Sequence, residues 1–187
     1  MNKKCLAPSS AARPAFTLVE MLVVMGIIGL LVALLMPAIG SARNSAMKAQ
    51  ALNQVKGIET ALKNYNVEYG MWPMLQETAP SAPTESLNGG VAVSNQTLYL
   101  LLGTNVNGRN PRKLVFLDAA QDNLVGGAYV DPWDSVYRYM CDFDNDGKTV
   151  VKFTAAITTN LIGRGAGVWS AGPSGKVTDR ADNVTSW

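Results

Sequence analysis

From Met21 to Ile39 the chain reads MLVVMGIIGLLVALLMPAI, 19 residues without a charge. As a helix rising 1.5 Å per residue, this run is about 28 Å long, close to the roughly 30 Å hydrocarbon core of a bilayer. A basic leader precedes it. Residues 1–15 hold Lys3, Lys4 and Arg13 and no acid, leaving 13 basic and 14 acidic residues for the rest of the chain. By the positive-inside rule the N-terminus stays cytoplasmic and the remainder is sent outward. A secretory signal cut near Ala38-Ile39-Gly40 is the alternative, but its apolar region would run about 7–15 residues, and this one is longer. The expectation is a retained anchor.

Composition removes several function classes. The chain has no His, so imidazole is unavailable as general base, metal ligand or pH switch. Its two cysteines, Cys5 and Cys141, cannot form a zinc cluster or a stapled scaffold. A net charge of +2 over 187 residues does not point to nucleic acid as a partner. No Ser-x-x-Lys or Gly-x-Ser-x-Gly pattern is present, and Gly163-x-Gly165-x-Gly167 lacks the Gly-Lys-Ser/Thr that would make a phosphate loop. The chain is not expected to be an enzyme.

Glu20 interrupts the apolar stretch that begins at Phe16. A carboxylate at the centre of a span costs about 2.5–3.5 kcal/mol, and less near the interface. It is either an acid marking the membrane edge or one neutralised by a partner charge. A cut between Ala15 and Phe16 would create such a partner, an α-amino group four residues before the acid. Ala15-Phe16-Thr17-Leu18-Val19-Glu20, followed by the long apolar helix, resembles the class III signal of type IV pilins and type II secretion pseudopilins. The resemblance implies that prepilin peptidase cuts before Phe16 and N-methylates it, and that Glu20 guides subunit docking. Ala15 stands where the family usually has Gly. Pro37 falls where pilins often carry a helix-loosening proline, although an ordinary membrane-helix proline would read the same way.

Past the membrane run, apolar positions recur at Ile39, Ala42, Ala46, Ala49, Leu52, Val55, Ile58, Leu62, Tyr65 and Tyr69, in steps of three and four. This predicts one helix from Phe16 to Tyr69, roughly 80 Å long, with Gly70 and Pro73 as stops. Glu59 and Lys63 are placed as an i,i+4 pair. Residues 71–97 read as loop, passing into a short helix over Gln96–Leu102, and Asn105–Pro111 as a turn-rich link. Strands are predicted at Lys113–Leu117, Ala128–Val130, Val136–Cys141, Thr149–Ile157 and Gly167–Ser170, with Asp142–Gly147 as a hairpin connection. The fold class is α+β: a long helix packed on a small antiparallel sheet. The expected divisions are a leader (1–15), a membrane or filament-core half-helix (16–39), an amphipathic half-helix (40–70) and a globular domain (71–187).

Asp131-Pro132-Trp133 followed by Tyr137-Arg138-Tyr139, and the closing stretch from Trp169 to Trp187, resemble the major, G-type pseudopilin of type II secretion. Tyr69-Gly70-Met71-Trp72-Pro73 matches that family's stretch after the long helix. The resemblance implies a structural subunit of a helical pseudopilus. Its expected partners are further copies of itself, prepilin peptidase, minor pseudopilins and an inner-membrane assembly platform. Its expected place is the inner membrane, with a periplasmic domain and then a periplasmic filament. A type IV pilus or DNA-uptake pilin is the alternative, and a membrane-anchored extracytoplasmic enzyme or binding protein the second.

Calcium is the one cofactor expected, and two loops compete for it. Asp142, Asp144 and Asp146, with Gly147, match the first half of an EF-hand loop, but its twelfth position is Phe153 rather than a bidentate Glu. A polar turn would carry the same residues. The loop from Ser174 to Asp182 resembles the calcium loop that closes G-type pseudopilins. Asp182 matches a ligand of that loop, Ser174 replaces another, and Asp179 is the neighbouring acid.

Overall fold

The computed structural model describes residues 16–73, 90–93, 95–154 and 156–187. The leader, Ala15 and the Pro-rich stretch 74–89 lie outside these. Helix α1 runs from Leu18 to Tyr69, 52 residues that continue through Pro37. Two compact units divide within it, between Arg43 and Asn44.

In the first unit every residue from Phe16 to Arg43 is exposed. The helix is apolar all round, as the uncharged run predicts. The second unit holds the core. There α1 buries Ala51, Val55, Ile58, Glu59, Ala61, Leu62 and Tyr65. The lower part of the predicted stripe is as expected, but Ala46, Ala49 and Leu52 are exposed. Successive steps of three fall about 60° short of a full turn each, so 46–49–52 drifts off the face. Ala51, with steps of 4, 3, 4 and 3 to Tyr65, keeps it. Glu59 is buried, with Lys63 Nζ at 2.6 Å and Arg164 Nη1 at 3.6 Å. The predicted i,i+4 pair is therefore extended by an arginine from the sheet side.

Facing the helix is a four-stranded antiparallel sheet. Its strands are β1 (Val91–Ala92), β4 (Arg138–Cys141), β7 (Ala166–Ser170) and β8 (Val184–Thr185), in that spatial order. β4 and β7 pair from Arg138↔Trp169 to Cys141↔Ala166. Alternation along these strands serves two cores. Tyr139, Cys141, Ala166 and Val168 join α1 and the short helix α2 (Asn95–Leu101), with Leu98, Leu100 and Leu101. Met140 and Trp169 face Val151, Phe153 and Leu161 on the other side. Those residues belong to a second hairpin, β5 (Lys148–Lys152) with β6 (Thr158–Ile162). A 3-10 turn (Gln121–Asn123) leads into the small hairpin β2 (Leu124–Val125) and β3 (Ala128–Tyr129).

The α+β architecture is as the sequence predicts, and several elements differ. Lys113–Leu117 is not a strand; the amides of Phe116 and Leu117 both donate to the Leu101 carbonyl, fastening it as a loop against α2. Thr149–Ile157 is not one strand, because it turns at Phe153–Ile157, where the Phe153 amide donates to the Ile157 carbonyl at 2.9 Å. β2, β6 and β8 are unpredicted. Asp142–Gly147 is not a hairpin connection: β4 pairs with β7 and β5 with β6, so the turn passes between sheets. The segment read as loop before α2 supplies β1, paired to Tyr139 and Arg138. Gly90 leads into it at φ +69, and a Cβ there would lie 2.1 Å from the Trp169 ring, so only glycine fits.

Candidate assembly site and acidic loops

The start of α1 carries its own cap. Thr17 precedes the first helical residue, and its Oγ1 accepts the Glu20 amide at 3.2 Å. Glu20 Oε2 in return accepts the Thr17 amide at 2.8 Å and the Thr17 hydroxyl at 2.7 Å. This is a capping box, which satisfies otherwise orphaned donors at a helix start. Thr17 was not singled out in the sequence, although Thr-x-x-Glu ahead of an apolar run is its signature. The bonds received by Glu20 both fall on Oε2. Around it stands the exposed apolar surface, with Phe16 at 73% and Leu18 at 80% of full exposure. α1 is long and apolar enough to cross a membrane. Ala15, the other half of the expected cleavage site, lies outside the described residues. Pro37 lacks an amide hydrogen, so the Ala33 carbonyl loses its usual helical donor.

In the Asp142–Gly147 turn, one carboxylate oxygen from each of Asp142, Asp144 and Asp146 lies within 4.8 Å of the others. Asp142 is buried and organises the turn: Oδ1 accepts the Asp146 amide at 3.1 Å and Oδ2 the Gly147 amide at 2.9 Å. Desolvation holds its carboxyl above the usual range, against the pull of those amides. Asp144 and Asp146 are exposed. The position where an EF-hand would place its bidentate Glu is Phe153, packed edge-on to Trp169 in the second core. Next to the turn, Cys141 is fully buried and burial raises its thiol well above the ordinary value, so it is a small core residue rather than a nucleophile.

The second loop is held differently. Asp182 Oδ2 accepts the Ser174 amide at 2.8 Å, and Oδ1 lies 3.9 Å from Lys48 Nζ on α1. The Asp179 carbonyl receives the amides of Asp182 and Asn183 at 3.1 and 3.2 Å. Among the described residues this loop gathers no trio of acids; the only such trio is at Asp142–Asp146.

Two structural hubs were not legible beforehand. Asp131, the acid of the Asp-Pro-Trp segment, is buried; Oδ1 accepts the amides of Trp133 at 2.9 Å and Ser135 at 2.8 Å, and Oδ2 the hydroxyl of Ser170 on β7. Asn110 is fully buried. Its Nδ2 donates to the carbonyls of Leu100 and Leu114, and its Oδ1 accepts from the Tyr69 hydroxyl and the Leu114 amide. A buried Asn in a Gly/Pro-rich stretch reads from sequence as an ordinary turn residue.

Residues 12–36 match the prokaryotic N-terminal methylation motif. Over 74 residues, 40% of its length, the chain is 31% identical to the type IV major pilin protein PilE of Neisseria gonorrhoeae, covering 44% of that protein. It is 28% identical over 113 residues to a fimbrial protein of Neisseria meningitidis serogroup B, covering 58% of this chain and 66% of the relative. It is 32% identical over 90 residues to the fimbrial protein EcpC of Eikenella corrodens, covering 48% and 56%. The matches thus span less than two thirds of these relatives' own lengths. No solved structure matches the chain significantly. The chain is type IV pilin-like and carries the N-terminal methylation motif.

Because Asp131 is buried and serves three donors, Asp131→Ala should cost about 2–4 kcal/mol, leaving the Trp133 and Ser135 amides and the Ser170 hydroxyl without their acceptor. Urea unfolding of a chain beginning at Asn44, which keeps every buried residue among those described, checks this. Asp131→Asn should cost less.

Proposed function

We propose that this chain is a structural subunit of a type IV pilus-like filament and not a catalyst. It is made as a membrane-anchored precursor, cut between Ala15 and Phe16, N-methylated on Phe16 and docked through Glu20. One observation carries the reading: a methylation motif that runs directly into a helix whose apolar residues from Leu18 to Ile39 are all exposed. A monomeric soluble protein rarely leaves more than a few hundred Å² of contiguous apolar surface in water. This surface suits a bilayer before assembly and other copies of itself afterwards. In this reading the N-terminus is cytoplasmic, the domain lies beyond the inner membrane, and the partners are prepilin peptidase, minor subunits and an inner-membrane platform.

The pilus is preferred here to the type II secretion pseudopilus that the C-terminal sequence suggests. The relatives are major pilins and fimbrial proteins by name. The Asp131-Pro132-Trp133 segment has a sufficient explanation in folding, through the turn and β7 contacts of Asp131. A specific function is not needed to account for it. Immunogold labelling of intact cells separates the two: pilus subunits label on filaments outside the cell, and a periplasmic pseudopilus labels only after permeabilisation.

Glu20 is the docking group in this account. The capping box leaves Oε1 for an incoming cation, which the methylated amino group of Phe16 on a neighbouring copy would supply. Glu20→Ala should keep the chain in the membrane fraction and reduce cross-linked ladders at least tenfold. Ladders equal to wild type would make Glu20 a membrane-edge residue.

Calcium is proposed at the Asp142–Gly147 turn. The spacing Asp-x-Asp-x-Asp-Gly and the proximity of the three carboxylates support it. Calcium takes six to eight oxygens, so three acids without a bidentate Glu suit the millimolar affinities of extracellular modules. The chain from Asn44 should melt a few degrees higher in millimolar calcium than in chelator. Asp144→Ala should remove the difference, and an unchanged melting temperature in the wild type would return the residues to a polar turn.

A further inference from the structure

Sheets avoid pairing with other chains by keeping their edges short, charged or covered. The four-stranded sheet ends in β1 and β8, two residues each, and the β2–β3 hairpin is equally short. β6 is different. Its five residues, Thr158–Ile162, pair on one side with β5 and, among the described residues, with no strand on the other. The Gly163 amide donates to the Gly147 carbonyl and the Phe153 amide to the Ile157 carbonyl, both at 2.9 Å, which fixes the phase of the ladder. Residues 157, 159, 161 and 163 turn their backbone groups toward β5, so Thr158, Asn160 and Ile162 turn theirs outward. No other described residue bonds those outward groups. The same three side chains are exposed, Ile162 at 79%, whereas Leu161 is buried. The strand holds no charge and no Pro, so it lacks the usual guards of an edge.

We propose that β6 is an interaction edge whose partner is the β6 of a second copy, the two strands running antiparallel about a two-fold axis at Asn160. Three outward residues centred on Asn160 make the edge complementary to itself. Asn160 then faces the other copy's Asn160, and Thr158 faces the other copy's Ile162. Each facing pair exchanges two N–H···O bonds. The side chains suit the same register: β-branched Thr and Ile lie opposite each other, the two Asn amides bond each other, and no like charges meet. Lys148 and Lys152, opposite Ile162 and Thr158 on β5, are the cations to be checked. In the joined sheet they face the other copy's lysines across three strand spacings, about 14 Å, which exceeds the Debye length of about 8 Å at physiological salt. The edge is neutral and Lys148 has Asp146 at 3.9 Å, which favours a strand like β6 itself over an acidic peptide. One contact this short is weak, because a lone two-stranded pairing is marginal in water. Resting on the filament reading above, an array of copies presents many such edges, and two arrays join side by side through avidity.

The test uses the full chain in detergent micelles, with single cysteines placed on β6 and a mild oxidant. The background is Cys5→Ser, with Cys141 left buried in the core. Residues that face each other in a hydrogen-bonded pair have Cα atoms about 5.5 Å apart, within disulfide reach. Asn160→Cys should therefore cross-link to its own kind. Thr158→Cys alone and Ile162→Cys alone should do so about tenfold more slowly, because each lies four residues along the strand, roughly 13 Å, from its counterpart. An equimolar mixture of those two variants should cross-link at a rate near that of Asn160→Cys. Adding Thr158→Pro to Asn160→Cys removes an outward amide and no β5 bond, and should slow cross-linking severalfold. Circular dichroism establishes that each variant is folded. Equal rates for the three single variants would mean collision without register and would overturn the inference. So would a folded Asn160→Cys variant that stays monomeric. The cross-links require no filament, so their failure leaves the subunit reading intact. Equally, cross-linked ladders unaffected by Glu20→Ala leave the β6 pairing intact.

Discussion

The domain depends on one packed face: Val55, Ile58, Leu62 and Tyr65 of α1 against Tyr139, Val168 and the leucines of α2. Everything else in that unit secures this contact. Tyr65 and Tyr69 extend it into the loop after α2, donating to the Arg109 carbonyl and to Asn110, and both meet Phe116 edge-on. Arg164 reaches from the turn between β6 and β7 to the buried Glu59. An unpaired carboxylate at that depth would cost several kcal/mol, so the two cations are a condition of the helix packing there. The sheet then reuses the same strands for a second core, where Trp169, Phe153 and Trp187 meet at centroid distances of 5.4 to 6.4 Å.

The other half of α1 satisfies its backbone, the Ala33 carbonyl opposite Pro37 apart, and nothing else. Its hydrogen bonds are internal, its first donors are covered by the Thr17–Glu20 capping box, and its side chains have no partner surface within their own unit. A segment in that condition is stable in hydrocarbon or in a bundle of like helices, and the proposed life of the subunit passes from the first to the second. Glu20 suits both states, since its carboxylate is held by Thr17 in the isolated chain and retains an oxygen for a neighbour. Without helix–helix hydrophobic drive inside the bilayer, a specific polar contact of this kind is what selects docking partners there.

Much of this was legible in the sequence where one physical signal dominates. The uncharged run, the α1 stop at Gly70 and the helix at Leu98–Leu101 follow from periodicity and breakers. Strands β4 and β7 were readable because aromatic and apolar residues, Tyr137, Tyr139 and Met140 in one stretch and Val168 and Trp169 in the other, are bounded by turn residues. What stayed hidden depended on distant partners. The two-residue strands β1 and β8 exist only because β4 and β7 present edges to them. Lys113–Leu117 has strand-like composition but is claimed by the Leu101 carbonyl and by Asn110. The hairpin expected at Asp142–Gly147 failed because turn chemistry fixes a change of direction and not which strands pair. Thr17 was readable from the Thr-x-x-Glu pattern, whereas Lys48 opposite Asp182 joins residues too far apart in the chain for any local pattern to reveal.

The central claim is that the chain begins its mature life at Phe16, with the apolar helix intact behind it. Intact-mass spectrometry of the protein extracted from membranes of its own host tests this most directly. The account predicts the mass of residues 16–187 plus one methyl group, located on the Phe16 amino group by fragmentation. A mass that retains Met1, or one that begins after Gly40, would contradict it.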